Sequence, residues 1–309
     1  AGSICKADLV SDLVGEYPEL QGTIGRYFAL EQGFSQEISN AVQNHYLPLG
    51  PSGKVPKEKI SIAVAVADKI DTLIGFFGID EKPTSSKDPF ALRRACLGVL
   101  RLITENKVNL SLKEILNNSK NLYLAQNYHL TNEKVIEDLF QFFIERFKIN
   151  LKDKGARLDV TNSILENNRS DDFYLIMKNI NELSKCLKKS QGQDAISIYK
   201  RSKNILDQSN QGEEFFGNPD NILFQHPSED EILIKLNEAR DYFTTPSRLR
   251  DNEKTITLLS ELKPMTDNFF DNVKVNDDNQ QVRKNRLELL TLLCKTFEKF
   301  TEFSKLDGS

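Results

Sequence analysis

Apolar residues recur with a helical period in almost every segment of the chain that shows a period. In residues 133–151 one apolar stripe contains Val135, Leu139, Phe142, Phe143 and Phe147. Further helices are predicted at 159–167, 172–188, 193–207, from about 229, at 250–262 and at 278–306. In the last of these, one face carries Val282, Leu289, Leu293, Phe297 and Phe300. No stretch alternates as a strand does, so the pattern predicts an all-α fold.

Two breaks in this pattern suggest domain boundaries. The first follows Ile103, where an apolar helix passes into a polar segment, and the second lies at 190–193. We therefore predict an N-terminal helical domain at 1–105, a helical connector at 106–190 and a C-terminal helical bundle at 191–309. Residues 208–231 are rich in Asn, Gly, Pro and acidic residues, which predicts a loop.

Composition narrows the function classes. The chain has 309 residues and a net charge of −4, which disfavours a generally basic protein that coats nucleic acid, so any RNA must be bound by local basic patches. No apolar run approaches the roughly 20 residues that span a membrane. Four widely separated cysteines favour reduced thiols and a cytoplasmic location. We expect the first residue to lie inside a larger protein. The sequence contains no P-loop and no nucleophile–base motif, so no catalytic residue is predicted.

Residues 60–103 hold charged residues within apolar helices. Asp68 lies in a nearly all-apolar helix, and a buried carboxylate is costly unless it is paired. Arg93 or Arg94 is the expected partner, with Lys69 and backbone donors as competitors. Asp88-Pro89 predicts the start of the second helix, with Asp88 as its cap and Pro89 at its first position.

Read from Lys59, this segment is KISIAVAVADKIDTLIGFFGIDEKPTSSKDPFALRRACLGVLRLI, and it resembles the bacterial glycyl-tRNA synthetase β subunit family. The resemblance implies that this helical region lies near the acceptor side of tRNA. Phosphate contacts are then expected from Lys87, Arg93 and Arg94. Pairing of these cations within the protein, with Asp68 or Asp71, is the alternative.

Residues 5–71 resemble the HD phosphohydrolase superfamily in damaged form. Ala7-Asp8 stands where that family has His-Asp, Asn44-His45 stands where a member can have paired histidines, and Asp68 matches the distal Asp. In the family such residues hold a metal that lowers the pKa of bound water to about 7. Here only Asp8, His45 and Asp68 remain as vestigial positions, so no metal is expected. An active metal phosphohydrolase acting on a nucleotide is the alternative function.

From about Asp194 onward the chain resembles the helical anticodon-binding domain (DALR type) shared with arginyl-tRNA synthetases. The matching pieces are AISIYKRSKNIL, ELKPMTDNFFDNVKV and QVRKNRLELLTLL. The first piece matches the family's first helix, with Tyr199 and Arg201. The second matches a turn at 269–273, and the third matches a helix with Arg283 and Arg286.

Two basic clusters in this region are candidates for tRNA contact. One, at the start of the last helix, comprises Arg283, Lys284 and Arg286, and the other comprises Lys200, Arg201 and Lys203. Cations at a helix start oppose the macrodipole, so the first cluster either pairs with Asp271, Asp277 and Asp278 or awaits an anion. Candidate stacking partners for unpaired bases are Phe215, Phe216 and Tyr242. Phe269 and Phe270 are expected in the core.

The resemblance implies a tRNA-recognising, non-catalytic C-terminal region of the β subunit. In the family, the α subunit binds glycine and ATP, with Mg²⁺, and ligates glycine to tRNA(Gly) within an α2β2 heterotetramer. The expected partners are therefore tRNA(Gly) and the α subunit, with no DNA, no membrane and no cofactor in this chain. A purely structural helical scaffold is the remaining alternative.

Overall fold

The computed structural model describes residues 1–167, 170–209, 213–244 and 251–307. Over these ranges the chain forms fourteen α-helices and no β-strand, which confirms the predicted all-α class. None of the helices in these ranges is both long enough and apolar enough to cross a membrane. The chain divides into two compact units, the first comprising Ala1–Gly155 with Ser170–Met177 and the second Ala156–Arg169 with Lys178–Ser309.

The first unit is built around a central helix with two others packed on it. Its helices are α1 (Asp12–Glu16), α2 (Thr23–Glu31), α3 (Gln36–Asn44), α4 (Lys59–Gly78), α5 (Leu92–Glu105), α6 (Leu112–Ala125) and α7 (Val135–Asp153). Helices α5 and α7 both pack against α4. Leu73 and Ile74 of α4, Leu100 of α5 and Phe143 of α7 are fully buried there. The stripe predicted for 133–151 therefore faces this core, with Phe142 at its half-buried edge.

The second unit is a bundle centred on two long helices. It contains α8 (Leu158–Asn167), α10 (Ser190–Ser209), α11 (Pro227–Tyr242), α12 (Asn252–Ser260), α13 (Lys263–Asn272) and α14 (Gln280–Glu298), and α9 (Phe173–Cys186) crosses the boundary between the units. Helix α14 packs against α10 and α11. At one end of the α10–α14 contact, Tyr199, Phe297 and Phe303 form a buried aromatic cluster.

Two predicted helix boundaries are wrong for identifiable reasons. Helix α14 ends at Glu298 rather than at 306, because the chain turns back to bury Phe303 against Phe297, with ring centroids 5.0 Å apart. The polar segment after Ile103 separates α5, which ends at Glu105, from α6, whose start is capped by Ser111, and the domain boundary suggested there stays a prediction. Phe269–Asn272 is helical, and the turn expected at 269–273 begins only with the extended Val273.

Two predictions fall partly outside the described residues. Arg250, the predicted start of one helix, is not described, and that helix begins at Asn252. Residues 210–212 of the predicted 208–231 loop are also not described. The rest of that loop is shortened by α10 at one end and by α11, which starts at Pro227, at the other. Residues 106–190 contribute to both units, and their separate connector role stays a prediction.

Candidate nucleic-acid interface

Asp8 caps a helix that has no capping side chain of its own. Helix α2 begins after Gly22, and Asp8 Oδ2 accepts hydrogen bonds from the backbone N–H of Gly22 at 2.6 Å and of Gly25 at 3.1 Å. A Cβ at Gly25 would lie 2.9 Å from this oxygen, so the close approach depends on glycine. Asp8 is fully buried, and one of its carboxylate oxygens is therefore committed to the start of α2.

His45 is a buried histidine that follows α3. Its Nδ1 lies 2.6 Å from the carbonyl of Val42, so this nitrogen carries the proton and donates it. Burial lowers the pKa of His45, and the hydrogen bond to Val42 only partly opposes this effect. Among the described residues Nε2 has no hydrogen-bond partner. The imidazole is therefore held neutral in the first unit.

Asp68 pairs with a residue that was not predicted as its partner. Lys6 Nζ lies 2.6 Å from Asp68 Oδ1, and the prediction of Arg93 or Arg94 is wrong. Burial alone would lower the pKa of Lys6, but the hydrogen bond to Asp68 raises it overall. Arg93 is instead held at the start of its own helix, 3.9 Å from Asp88 and donating to the carbonyl of Thr84.

These three positions do not fit a divalent metal. Asp8 is bound to backbone amides, and the charge of Asp68 is already compensated by the ammonium group of Lys6. Across the described ranges, no three His, Cys, Asp or Glu side chains are grouped as metal ligands. The metal phosphohydrolase alternative therefore has no support from this donor set.

Lys69 is a buried amine that the sequence indicated only as a competitor for Asp68. Its Nζ donates to the carbonyls of His45 at 3.0 Å and Tyr46 at 3.3 Å, at the end of α3. Gly98 of α5 packs on its side chain, where a Cβ would lie 2.8 Å from Cε. Burial lowers the pKa of Lys69 to about 8, although Asp68 opposes this shift.

The start of α5 presents a small cationic surface. Asp88 caps the helix as predicted, accepting from Leu92 N at 2.8 Å and Arg93 N at 3.0 Å. The prediction that Pro89 occupies the first helical position is wrong, because α5 begins only at Leu92 after the left-handed Ala91. Lys87 and Arg94 are exposed, and neither forms an ion pair within the described part of the chain.

The three predicted cations of α10 differ in their surroundings. Arg201 lies 3.8 Å from Asp267 and 3.6 Å from Asp271, and its guanidinium sits 4.5 Å from the centre of the Phe270 ring. Lys203 lies 3.7 Å from Asp207 one turn later. Lys200 is half-buried and has no ion-pair partner among the described residues.

At the start of α14 two arginines are buried and one lysine is exposed. Arg286 binds Glu229 at 3.1 Å and Asp277 at 2.7 Å. Arg283 binds Glu213 at 3.2 Å and donates to the Ser209 carbonyl at 2.8 Å. Both arginines are therefore paired within the protein, but of the three expected partners only Asp277 is used, because Asp271 lies against Arg201 and Asp278 against Lys274. Lys284 points to solvent and has no ion-pair partner in the described ranges.

The aromatic candidates separate by exposure. Phe269 is fully buried, as expected, and Phe270 is half-buried beside it. The hydroxyl of Tyr242 accepts from Asp251 N at 3.1 Å. Phe215 is half-buried, whereas the side chain of Phe216 is 61% exposed on the chain between α10 and α11.

Two residues of α14 that the sequence did not single out organise this connection. Glu288 accepts hydrogen bonds from three consecutive backbone amides, and Asn285 binds both backbone groups of Asp220. Both side chains are buried. Their signal in the sequence is weak, since a Glu and an Asn within a helix are usually taken as solvated.

Comparison with known proteins agrees with this division into two units. A family model of the glycyl-tRNA synthetase beta subunit matches residues 1–166, and one of the DALR anticodon binding domain matches residues 196–303.

Relatives match along the whole chain. The glycine–tRNA ligase beta subunit of Ruegeria sp. (strain TM1040) is 40% identical over 310 residues, covering 100% of this chain and 44% of the relative. Those of Paracoccus denitrificans and Rhodospirillum centenum are each 38% identical, with 100% of this chain and 44% and 43% of the relative covered. This chain thus spans less than half the length of these relatives. Since the first family model covers more than half of the chain, the chain belongs to the glycyl-tRNA synthetase β subunit family.

Proposed function

We propose that this chain is a tRNA-recognising, non-catalytic region of glycyl-tRNA synthetase. The observation that carries the proposal is the match of residues 196–303 to an anticodon-binding domain within a chain of this family. In this proposal the α subunit, using ATP and Mg²⁺, ligates glycine to tRNA(Gly), and the present chain contributes RNA binding without a cofactor of its own. An α2β2 assembly in the cytoplasm, without DNA or membrane contact, completes the proposal.

The cations best placed for tRNA phosphates are those that the fold leaves unpaired. Lys284 on α14 and Lys200 on α10 have no ion-pair partner in the described ranges, and in the first unit Lys87 and Arg94 share this property. Arg201 and Lys203 are exposed enough to exchange carboxylate partners for phosphate, because exposed ion pairs contribute at most about 1 kcal/mol. Arg283 and Arg286 act by shaping the surface around Lys284.

The test is binding of tRNA(Gly) to this chain, measured over a salt series with an unrelated tRNA as comparison. Binding should favour tRNA(Gly) and weaken steeply with salt. Lys284→Ala and Lys200→Ala should each lower the slope of log affinity against log salt by about 1 if the residue contacts a phosphate. Lys188→Ala, which removes another exposed lysine of the second unit, is the matched control.

Three outcomes would contradict the proposal. A chain that binds both tRNAs equally would be a non-specific RNA binder, and one that binds neither would be a scaffold. Stoichiometric divalent metal with phosphatase turnover in the purified chain would instead support the hydrolase alternative.

A further inference from the structure

One face of α14 holds the backbone of the chain that leads to α11. We call residues 213–226 the α10–α11 loop. Glu288 Oε2 accepts hydrogen bonds from the amides of Phe216 at 2.9 Å, Gly217 at 2.5 Å and Asn218 at 3.0 Å. Glu288 is only 7% exposed. Three amides directed at one carboxylate oxygen form a charge-assisted anchor, which fixes this part of the loop.

A second anchor lies one turn earlier on the same helix. Asn285 Oδ1 accepts from Asp220 N at 2.7 Å, and Asn285 Nδ2 donates to Asp220 O at 2.8 Å. Within the first anchor, Gly217 has φ +77°, and a Cβ there would lie 3.1 Å from the backbone of Leu292. The loop backbone therefore lies directly on α14 and has little freedom to move.

These anchors hold the backbone while leaving two apolar side chains in solvent. Phe216 is 61% exposed and Ile222 is 86% exposed. A buried carboxylate is costly unless hydrogen bonds compensate it, and here three hydrogen bonds from the loop backbone compensate Glu288. The arrangement thus fixes the position of Phe216 without hiding its ring, which is how a preorganised binding residue is built.

We propose that Phe216 stacks on an unpaired base of the tRNA and that Glu288 is the residue that positions it. This inference rests on the proposed function. Single-stranded RNA is recognised largely by stacking of its bases on aromatic side chains. The ammonium of Lys295 lies 3.0 Å from the Phe216 carbonyl, but Glu214 and Asp220 are exposed in the same loop and oppose a phosphate. A base is therefore the part of the RNA that fits the ring.

The chain contains no tryptophan, so one introduced tryptophan can be followed by fluorescence without a signal from others. In Phe216→Trp, with excitation selective for tryptophan over the eight tyrosines, addition of tRNA(Gly) or its anticodon stem-loop should quench the single tryptophan. Ile234→Trp is the matched control, since Ile234 is also 61% exposed and lies on α11. Adding Glu288→Gln to Phe216→Trp should lower the fluorescence anisotropy of the free protein and reduce the quenching.

Affinity measurements give the quantitative test. Phe216→Ala should weaken tRNA(Gly) binding between about 5-fold and about 150-fold, the range for loss of one stacked base. Ile234→Ala should change it less than about twofold. Glu288→Gln should weaken binding when Phe216 is present but add nothing in the Phe216→Ala background, because it acts through that ring. Asn285→Ala, which releases the other anchor, should behave in the same way.

The outcomes separate this inference from the proposed function. If the unchanged chain binds tRNA(Gly) but Phe216→Ala binds equally well, stacking is overturned while the proposed function stands. Additive effects of Glu288→Gln and Phe216→Ala overturn the positioning role, and urea midpoints exclude variants that lose affinity by unfolding. If the unchanged chain does not bind tRNA(Gly), the proposed function fails and this inference with it.

Discussion

Arg286→Ala should strongly destabilise the second unit, because the residue is buried and bonded on several sides. The guanidinium of Arg286 donates to Glu229 at 3.1 Å, to Asp277 at 2.7 Å, to the Lys274 carbonyl at 3.0 Å and to Gln225 at 3.2 Å. Truncation removes all four bonds together. It also leaves Glu229, which is fully buried, without the positive charge that compensates it.

The expected loss of stability follows from the carboxylate of Glu229, which stays buried without its cationic partner. The other oxygen of Glu229 still accepts from the amides of Gln225 and His226, both at 2.8 Å, so the side chain cannot simply move to solvent without uncapping α11. Removing one partner of a buried ion pair costs about 3–5 kcal/mol. That is a large part of the 5–15 kcal/mol by which a typical domain is stable.

Urea unfolding followed by far-UV circular dichroism measures the free energy of unfolding by linear extrapolation. Lys284→Ala, an exposed neighbour on the same helix, should stay within about 0.5 kcal/mol of the unchanged chain. The double change Arg286→Met with Glu229→Gln removes both charges and should cost less than Arg286→Ala alone. A cost below about 1 kcal/mol for Arg286→Ala, or a double variant no more stable than the single one, would refute the reasoning.

Three further predictions follow from single residues, each checked by the same urea unfolding. Asp8→Ala should lower the free energy of unfolding by about 1–2 kcal/mol, as expected for loss of a helix cap, and Asp8→Asn should lower it less. Equal losses for the two variants would argue against capping. Gly217→Ala should cost about 1–2 kcal/mol because φ +77° strains any other residue, and an unchanged midpoint would contradict this. The pKa of Lys69 is lowered from 10.5 to about 8, so between these pH values only the unfolded chain holds the proton and stability rises with pH. Measured relative to Lys69→Met, the free energy of unfolding of the unchanged chain should rise by about 3 kcal/mol over this pH range. A difference between the two proteins that does not change with pH would contradict the lowered pKa.

Much of the fold could be predicted from the sequence because helical stripes and caps are local signals. The stripe in 133–151 and the cap at Asp88 both act within a few residues of the chain, and both are present in the structure. Partners far apart in sequence could not be predicted in this way. Lys6 reaches Asp68 across 62 residues of sequence, whereas Arg93 lay closer and had the more suitable side chain.

In the basic cluster of α14, helical phase is a local signal that distinguishes buried from exposed residues, although it does not identify their partners. Each helical residue advances by roughly 100°, so Arg286 falls within the stripe of Val282, Leu289 and Leu293, and Lys284 falls on the opposite side. Helical phase alone therefore indicates that Arg286 is buried and Lys284 exposed, as the structure has them.

Phase could not identify the role of Glu288, which lies on the polar side of α14 and is buried only because the α10–α11 loop covers it. A charged residue on that side is solvated unless a distant segment packs over it, and helical periodicity carries no information about such segments. Arg286 and Glu288 are consequently buried for different reasons, the first because it lies in the core stripe and the second because the loop covers it. Glu288 fixes the loop that carries the exposed ring of Phe216, the residue that we propose stacks on a base.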